Sequence, residues 1–166
     1  FFITFRDYFI KKFNNISQNI AHFGFSLLIL SILFNSLFSS EIITNLKVGE
    51  TFEDLNTKII LKSIEQKEEK NFKSIIANFN IENSKGIIEN LSPELRIYNQ
   101  PNIVTSEADI KTTMMSDKFI VINVVQNQDY FNVRYQVKPF MLWIWLSVLL
   151  ISFGGLLSLF KKNYEQ

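Results

Sequence analysis

Two long apolar segments near the ends of the chain enclose a mixed region in which short apolar runs alternate with polar turns. The first apolar segment, residues 20–38, and the second, residues 140–160, contain no charged residue. Each offers about the 20 apolar residues that a bilayer-spanning helix needs. The pattern therefore predicts two transmembrane helices. A cleaved signal peptide is the alternative for the first, but its apolar core is typically only ~7–15 residues, so we treat residues 20–38 as retained.

Between the two apolar segments, β-branched and aromatic residues recur in short runs, which is typical of strands. The best candidates are residues 119–125 and 131–137, and the second alternates strictly between apolar and polar positions. Residues 126–129 are the predicted hairpin loop between them, and residues 65–70 are predicted to be another, solvated hairpin tip. The full set of predicted strands covers residues 58–64, 72–81, 86–91, 95–98, 118–125 and 130–137.

Together these elements predict a membrane protein with two transmembrane helices flanking a small antiparallel β-sandwich or open barrel on the extracytoplasmic side. Basic residues precede the first span and follow the second, and basic residues next to a span favour the cytoplasmic side. Residues 1–19 are then a cytoplasmic or interfacial segment, expected to be the tail of a missing upstream part. Residues 41–138 form the extracytoplasmic domain, and residues 161–166 a cytoplasmic tail.

Composition narrows the function classes. The net charge is only +1 and the charges of the central region are interspersed, so nothing indicates a nucleic-acid partner. The chain has no cysteine, which excludes disulfides and thiol chemistry. No phosphate-binding loop and no nucleophile–base arrangement is present, so the residues indicate no catalytic group.

The single histidine, His22, is the one residue that could carry chemistry. It lies about one turn inside the first predicted span, where an ionisable side chain is costly and indicates function by default. Its imidazole could ligate haem iron, relay protons or form an interhelical hydrogen bond. Ser26, one turn later, could orient the ring or bond to its own helix backbone. The residues alone leave these uses open and favour the hydrogen bond.

Small residues recur every seven positions in the same span, at Ser17, Gly24 and Ser31. A row of small side chains allows another helix to approach closely, although chance is the alternative explanation. Gly154 and Gly155 in the second span are expected to serve the same purpose.

Several stretches, in this order and spacing, resemble the C-terminal end of the cytochrome c maturation haem lyase family, CcmF, and its relative NrfE. They are AHFG (residues 21–24), LSPELRIY (91–98), TSEADI (105–110) and VRYQVKPFMLWIW (133–145) followed by Gly154-Gly155. The resemblance runs from about residue 21 to the C-terminus and is weakest over residues 47–81. LRIY and TSEAD depart slightly from the more usual family sequences, but Arg96 and Tyr98 are retained.

The resemblance implies a role for His22 as one of two axial ligands of a stably bound haem b, the other ligand lying outside this chain. The family joins a second haem, its substrate, to the Cys-x-x-Cys-His motif of apocytochrome c. The tryptophan-rich motif and the other histidines of the family have no counterpart here, so this chain is expected to be part of a haem lyase rather than a complete enzyme. Expected partners are the remainder of the lyase, other cytochrome c maturation proteins, apocytochrome c and membrane lipid.

The expected location is the bacterial inner membrane with the central loop in the periplasm, or alternatively the mitochondrial inner membrane. Trp143 and Trp145 are expected at the outer interface as anchors. Arg134 and Lys138 are either ordinary surface residues or contacts for haem propionates or a partner. Two rival functions remain open: a non-enzymatic membrane scaffold with a partner-binding β domain, and a transporter accessory subunit in which His22 relays protons.

Overall fold

The structure is a computed structural model that describes residues 2–54, 57–84, 86–124 and 129–162, with side chains described from residue 16 to residue 159. The chain divides into two compact units. One contains both helices and residues 113–116, and the other contains the β-strands. The elements follow the predicted order, a helix, a β domain and a second helix.

Helix α1 spans Phe2–Phe38 and helix α2 spans Met141–Lys162. Within them, Ile16–Phe38 and Met141–Leu159 are long and apolar enough to cross a membrane. Helix α1 is longer than the segment predicted to cross, because it continues without a break through the polar residues before Ile20 to Phe2. The two helices pack against each other.

The row of small residues in α1 faces α2. Ser17, Gly24 and Ser31 are all buried, and so are Ser147 and Gly154, which lie seven residues apart in α2. A Cβ atom on Gly24 would lie 3.0 Å from side-chain atoms of Ile151 and Leu150 in α2. The predicted close helix approach is therefore confirmed, with α2 as the partner helix.

Helix α2 begins next to residues 113–116 of its own unit. Phe140 has a left-handed backbone (φ 60°), and its carbonyl accepts the first helical hydrogen bond, from the Ile144 amide at 3.1 Å. The Phe140 amide donates to the Met115 carbonyl at 2.9 Å, and the Trp143 indole Nε1 donates to the Met114 carbonyl at 2.8 Å. Phe140 also contacts Phe34 of α1, with ring centroids 5.1 Å apart.

The second unit is a two-sheet antiparallel β-sandwich. Its strands are β1 Ser40–Leu46, β2 Thr51–Asp54, β3 Thr57–Glu68, β4 Phe72–Asn83, β5 Ile88–Leu91, β6 Glu94–Tyr98, β7 Ile103–Glu107, β8 Asp109–Thr112, β9 Ser116–Val124 and β10 Phe131–Pro139. The order of the four-stranded sheet is β1-β10-β9-β8. The order of the six-stranded sheet is β2-β3-β4-β6-β7, with β5 also paired to β4.

The core lies between the sheets because apolar side chains alternate inward along the strands. The four-stranded sheet contributes Leu46, Ile120, Ile122, Val133 and Tyr135. The six-stranded sheet contributes Ile59, Leu61, Ala77, Phe79, Ile81, Leu91 and Leu95. A bulge between Leu61 and Ser63 shifts the register of β3, after which Ile64 again packs against the core.

All six predicted strands are confirmed with end shifts of a few residues. The hairpin at residues 65–70 is confirmed but tighter than predicted, since β3 continues to Glu68 and pairs it with Lys73. The predicted loop at 126–129 falls mostly on residues 125–128, which lie outside the described residues. Four strands, β1, β2, β7 and β8, were not predicted, because their apolar residues are single or adjacent and so show no alternating pattern.

Candidate functional site

His22 lies on the face of α1 that points away from α2. At about 100° per residue, it is roughly 160° around the helix from Gly24 and about 180° from Ser31, which both face α2. Its side chain is exposed, whereas both of those residues are buried. The helix pair therefore holds the imidazole on an outer surface.

Ser26 does not orient the His22 ring. Its hydroxyl donates a hydrogen bond to the backbone carbonyl of His22 at 3.0 Å, the usual i to i−4 bond of a serine within a helix. Of the two roles that the sequence left open for Ser26, the structure gives it the backbone one.

His22 forms no hydrogen bond to the described side chains of α2. Within the part of the chain that the structure describes, no side chain bonds to the imidazole, and α2 contacts the opposite face of α1. The interhelical hydrogen bond that the residues alone favoured therefore has no partner in the second helix. In a membrane, an imidazole on this face must meet protein, water or a cofactor from outside the helix pair.

The residues around His22 form a stripe, the His22 face, with an apolar part and a polar part. Phe25, Ile29 and Leu33 lie between His22 and the C-terminal end of α1 at Phe38, and their side chains are 56%, 54% and 50% exposed. Gln18 and Asn19, one turn before His22, are also exposed. One imidazole nitrogen beside apolar side chains suits one axial position of a porphyrin, which is a flat apolar group. Among the described residues, no group of three or more His, Cys, Asp or Glu side chains could hold a metal ion.

Arg96 and Tyr98 belong to a polar and aromatic cluster on the outer face of the six-stranded sheet. Arg96 Nη2 donates to Glu94 Oε2 at 3.0 Å, and its guanidinium lies 5.2 Å from the centre of the Phe72 ring. The Phe72 and Tyr98 rings are 5.3 Å apart. Hydrogen bonding from Arg96, and secondarily from Ser74, holds the pKa of the Glu94 carboxyl below its usual value although burial opposes this. The contacts give these residues a structural role.

An ion cluster between the two sheets was missed from the sequence. Glu89 of β5 is 8% exposed and accepts a hydrogen bond from Lys118 Nζ of β9 at 2.7 Å, while Lys111 Nζ of β8 lies 3.7 Å from its other oxygen. Burial, with a further contribution from the negative charge of Glu89, raises the pKa of Tyr135 to about 12. The available signal was the position of Glu89 two residues before Leu91, which puts it on the inward face of its strand.

The remaining candidates lie at surfaces or in the helix pair. Arg134 is half exposed and binds Glu41 of the neighbouring strand, which also accepts a 2.6 Å hydrogen bond from Gln136. Lys138 is half-buried, and Trp145 is 63% exposed. Of the two adjacent glycines only Gly154 meets α1, because a Cβ atom on Gly155 would have nothing within 4 Å.

Comparison with known proteins decides the family. The family described as "CcmF C-terminal beta-sandwich" matches residues 37–139, more than half of the chain. The chain belongs to the CcmF family. The match runs from the end of α1 through the β domain to the residue before Phe140, so the family assignment does not depend on His22.

Individual CcmF relatives extend the similarity into the helices. The chain is 37% identical over 119 residues to the cytochrome c-type biogenesis protein ccl1 of Rhodobacter capsulatus, covering 72% of this chain and 18% of that protein. It is 30% identical over 148 residues to CcmF of Pseudomonas fluorescens, covering 89% of this chain and 22% of that protein. The chain thus spans about a fifth of the length of these relatives.

A solved structure of cytochrome c haem lyase CcmF shares the fold, with a TM-score of 0.70 at 17% sequence identity. The superposition covers 90% of this chain and 25% of the solved one. The fold, an antiparallel β domain preceded and followed along the chain by an apolar helix, is therefore that of the C-terminal portion of CcmF.

Proposed function

We propose that this chain is the C-terminal part of a cytochrome c haem lyase and that His22 supplies one axial ligand to a haem b. The second axial ligand comes from outside the chain, because the sequence contains no other histidine. Family membership supports the role in cytochrome c biogenesis, and the position of His22 supports the ligand.

The observation that carries the proposal is the exposure of the only histidine on the face of α1 opposite α2. A histidine kept only for helix packing would lie in the contact with α2, where Ser17, Gly24 and Ser31 lie instead. An imidazole turned outward is arranged to meet a group brought by the rest of the enzyme.

When bound, a haem b would supply one-electron redox chemistry. His22 would hold the iron through one ring nitrogen, and the exposed side chains of Phe25, Ile29 and Leu33 would cover apolar porphyrin edge and exclude water. The contact between α1 and α2 fixes the rotation of α1, and thus the direction in which His22 points. The close approach at Gly24 makes that rotation stiff.

The proposed topology places residues 20–38 and 140–160 in the bacterial inner membrane, or alternatively the mitochondrial inner membrane, with 41–138 on the extracytoplasmic side. Residues 1–19 and 161–166 are then cytoplasmic. The β domain would assemble with the remainder of the lyase, with other maturation proteins and with apocytochrome c. Single cysteines placed in this cysteine-free chain, at Glu53 in the proposed extracytoplasmic domain and at Gln166 in the proposed cytoplasmic tail, test the topology by their labelling from each side of sealed membrane vesicles.

The ligand is tested with His22→Ala in the assembled lyase, purified with the missing portion supplied from the same source. Loss of the reduced-state absorption bands of haem b, with this chain still present in the complex, is expected. Ser26→Ala is the matched control on the same helix face, since its hydroxyl bonds only to backbone, and its spectrum should match the unsubstituted complex.

Two results would contradict the proposal and favour one of the two rival functions. A complex that contains the intact chain but no haem would indicate the non-enzymatic scaffold, with the β domain as the partner-binding part. An activity that depends on pH and on His22, without any haem band, would indicate the proton relay of a transporter subunit.

A further inference from the structure

Of the two polar residues that define the polar part of the His22 face, Gln18 lies at the smaller rotation from His22. It precedes His22 by one helical turn, at a rotation of roughly 40° around the axis, whereas Asn19 lies about 60° away on the other side. Both amides are exposed, and both residues lie at least about 120° around the helix from Gly24, which faces α2. Ser17, the residue beside them, is the one that bonds to α2.

Side chains in an α-helix are tilted toward the N-terminus, a tilt that directs the side chain of His22 toward the turn that contains Gln18. Residues four apart on a helix are neighbours, at about 5–6 Å between Cβ atoms. Gln18 is one methylene longer than Asn19, so its carbonyl oxygen has the greater reach toward the ring. Ser26 lies on the other side of the ring, toward the C-terminus, and its hydroxyl is bonded to backbone.

A histidine that binds a metal through one ring nitrogen almost always donates the N–H of the other nitrogen to an acceptor. Among the described residues, no side chain accepts a hydrogen bond from the His22 ring. We propose that Gln18 is a positioning residue whose side-chain Oε1 accepts the Nδ1–H of His22 when Nε2 is on the iron. This inference rests on the proposed function.

The hydrogen bond would have two effects. It would fix the rotation of the imidazole about its Cβ–Cγ bond, which strengthens the grip on the metal. It would also increase electron density on the ligating nitrogen, which stabilises the oxidised iron and lowers the reduction potential. The competing acceptor is the backbone carbonyl of Gln18, which already receives the helical bond of the His22 amide.

The test compares Gln18→Met, which keeps length but removes the acceptor, with Gln18→Glu, which keeps an acceptor and strengthens it. Each variant is assembled with the rest of the lyase, and the haem b midpoint potential is measured by redox titration of its reduced absorption band. Retention of haem against excess apomyoglobin gives a second readout. Asn19→Leu is the control.

The expected result for Gln18→Met is a higher potential and a loss of roughly 10- to 100-fold in haem retention, the usual effect of removing such a partner. Gln18→Glu should lower the potential and keep haem bound, and Asn19→Leu should change neither. An unchanged potential and retention in Gln18→Met would overturn the inference in favour of the backbone acceptor. Midpoint potentials that shift in the same direction in Gln18→Met and Gln18→Glu would also overturn it. Haem retained in full by His22→Ala would instead reject the proposed function.

Discussion

Ser17 donates a hydrogen bond through its hydroxyl to the backbone carbonyl of Gly154, 2.8 Å away and 137 positions later in the chain. The bond is possible because Gly154 has no side chain, since a Cβ there would lie 2.9 Å from the Ala21 amide nitrogen and 3.0 Å from the Ser17 carbonyl. The contact locks α1 and α2 together on the face opposite His22.

Gly154→Leu should disrupt the helix pair, because the added side chain has no room against the α1 backbone. Overpacking of this kind costs about 1–3 kcal/mol, and a backbone neighbour cannot move aside as a flexible side chain can. Thermal unfolding of the chain in detergent, followed by size-exclusion chromatography, should show a lower transition temperature.

Gly155→Leu is the matched control for that substitution. It adds the same side chain one residue later, where nothing lies within 4 Å. Its transition temperature should match that of the unsubstituted chain, and equal destabilisation by the two substitutions would contradict the proposed contact.

Glu89→Ala should destabilise the β domain strongly. The change leaves Lys118, whose side chain is 17% exposed, as a poorly solvated and uncompensated charge. Breaking a buried ion pair at one partner costs roughly 3–5 kcal/mol. Amide hydrogen exchange of β9 and β10, measured by mass spectrometry in detergent, reports the loss as faster exchange.

The exposed pair between Glu68 and Lys73 provides the comparison for Glu89. Its side chains are 75% and 61% exposed, so Glu68→Ala should cost no more than about 1 kcal/mol. The double substitution Glu89→Met with Lys118→Met should recover most of the lost stability, because it leaves no buried charge. Equal exchange in the Glu68 and Glu89 variants would show that the inter-sheet cluster is not buried.

Tyr135 should titrate later than an ordinary tyrosine, because burial disfavours its phenolate and Glu89 repels it. Its pKa is raised from 10.0 to about 12, so the neutral form stabilises the fold fully below pH 10. That contribution is lost as the pH rises through 12, since the unfolded chain releases the proton first. When the pH is raised, the phenolate absorbance at 295 nm should include a component that appears only near pH 12.

Tyr135→Phe should remove that component, and Glu89→Gln should move it to lower pH by removing the negative charge. An absorbance curve for the unsubstituted chain without any component near pH 12 would contradict the burial of the phenol. So would a late component that survives in Tyr135→Phe.

The fold could be predicted from the sequence where one physical signal dominates. The uncharged apolar stretches revealed the helices, and strict alternation in residues 131–137 revealed β10. Strand β2 has one apolar residue in Thr51–Asp54 and forms because it pairs with β3. No pattern within its own sequence indicates a strand.

The candidate site could be predicted only in part. His22 was conspicuous as the sole histidine, but its direction depends on which face of α1 meets α2. The row of Ser17, Gly24 and Ser31 contained that information, since His22 falls opposite the row. Of the ion cluster, only the inward position of Glu89 could be predicted, because its lysines come from strands far along the chain that only the sheet pairing brings near.

The most direct test of the account is ligand replacement at His22 in the assembled lyase. His22→Gly removes the imidazole and leaves a space, so the low-spin reduced spectrum of haem b should disappear and return when free imidazole is added. A spectrum that stays unchanged in His22→Gly without imidazole would contradict the account.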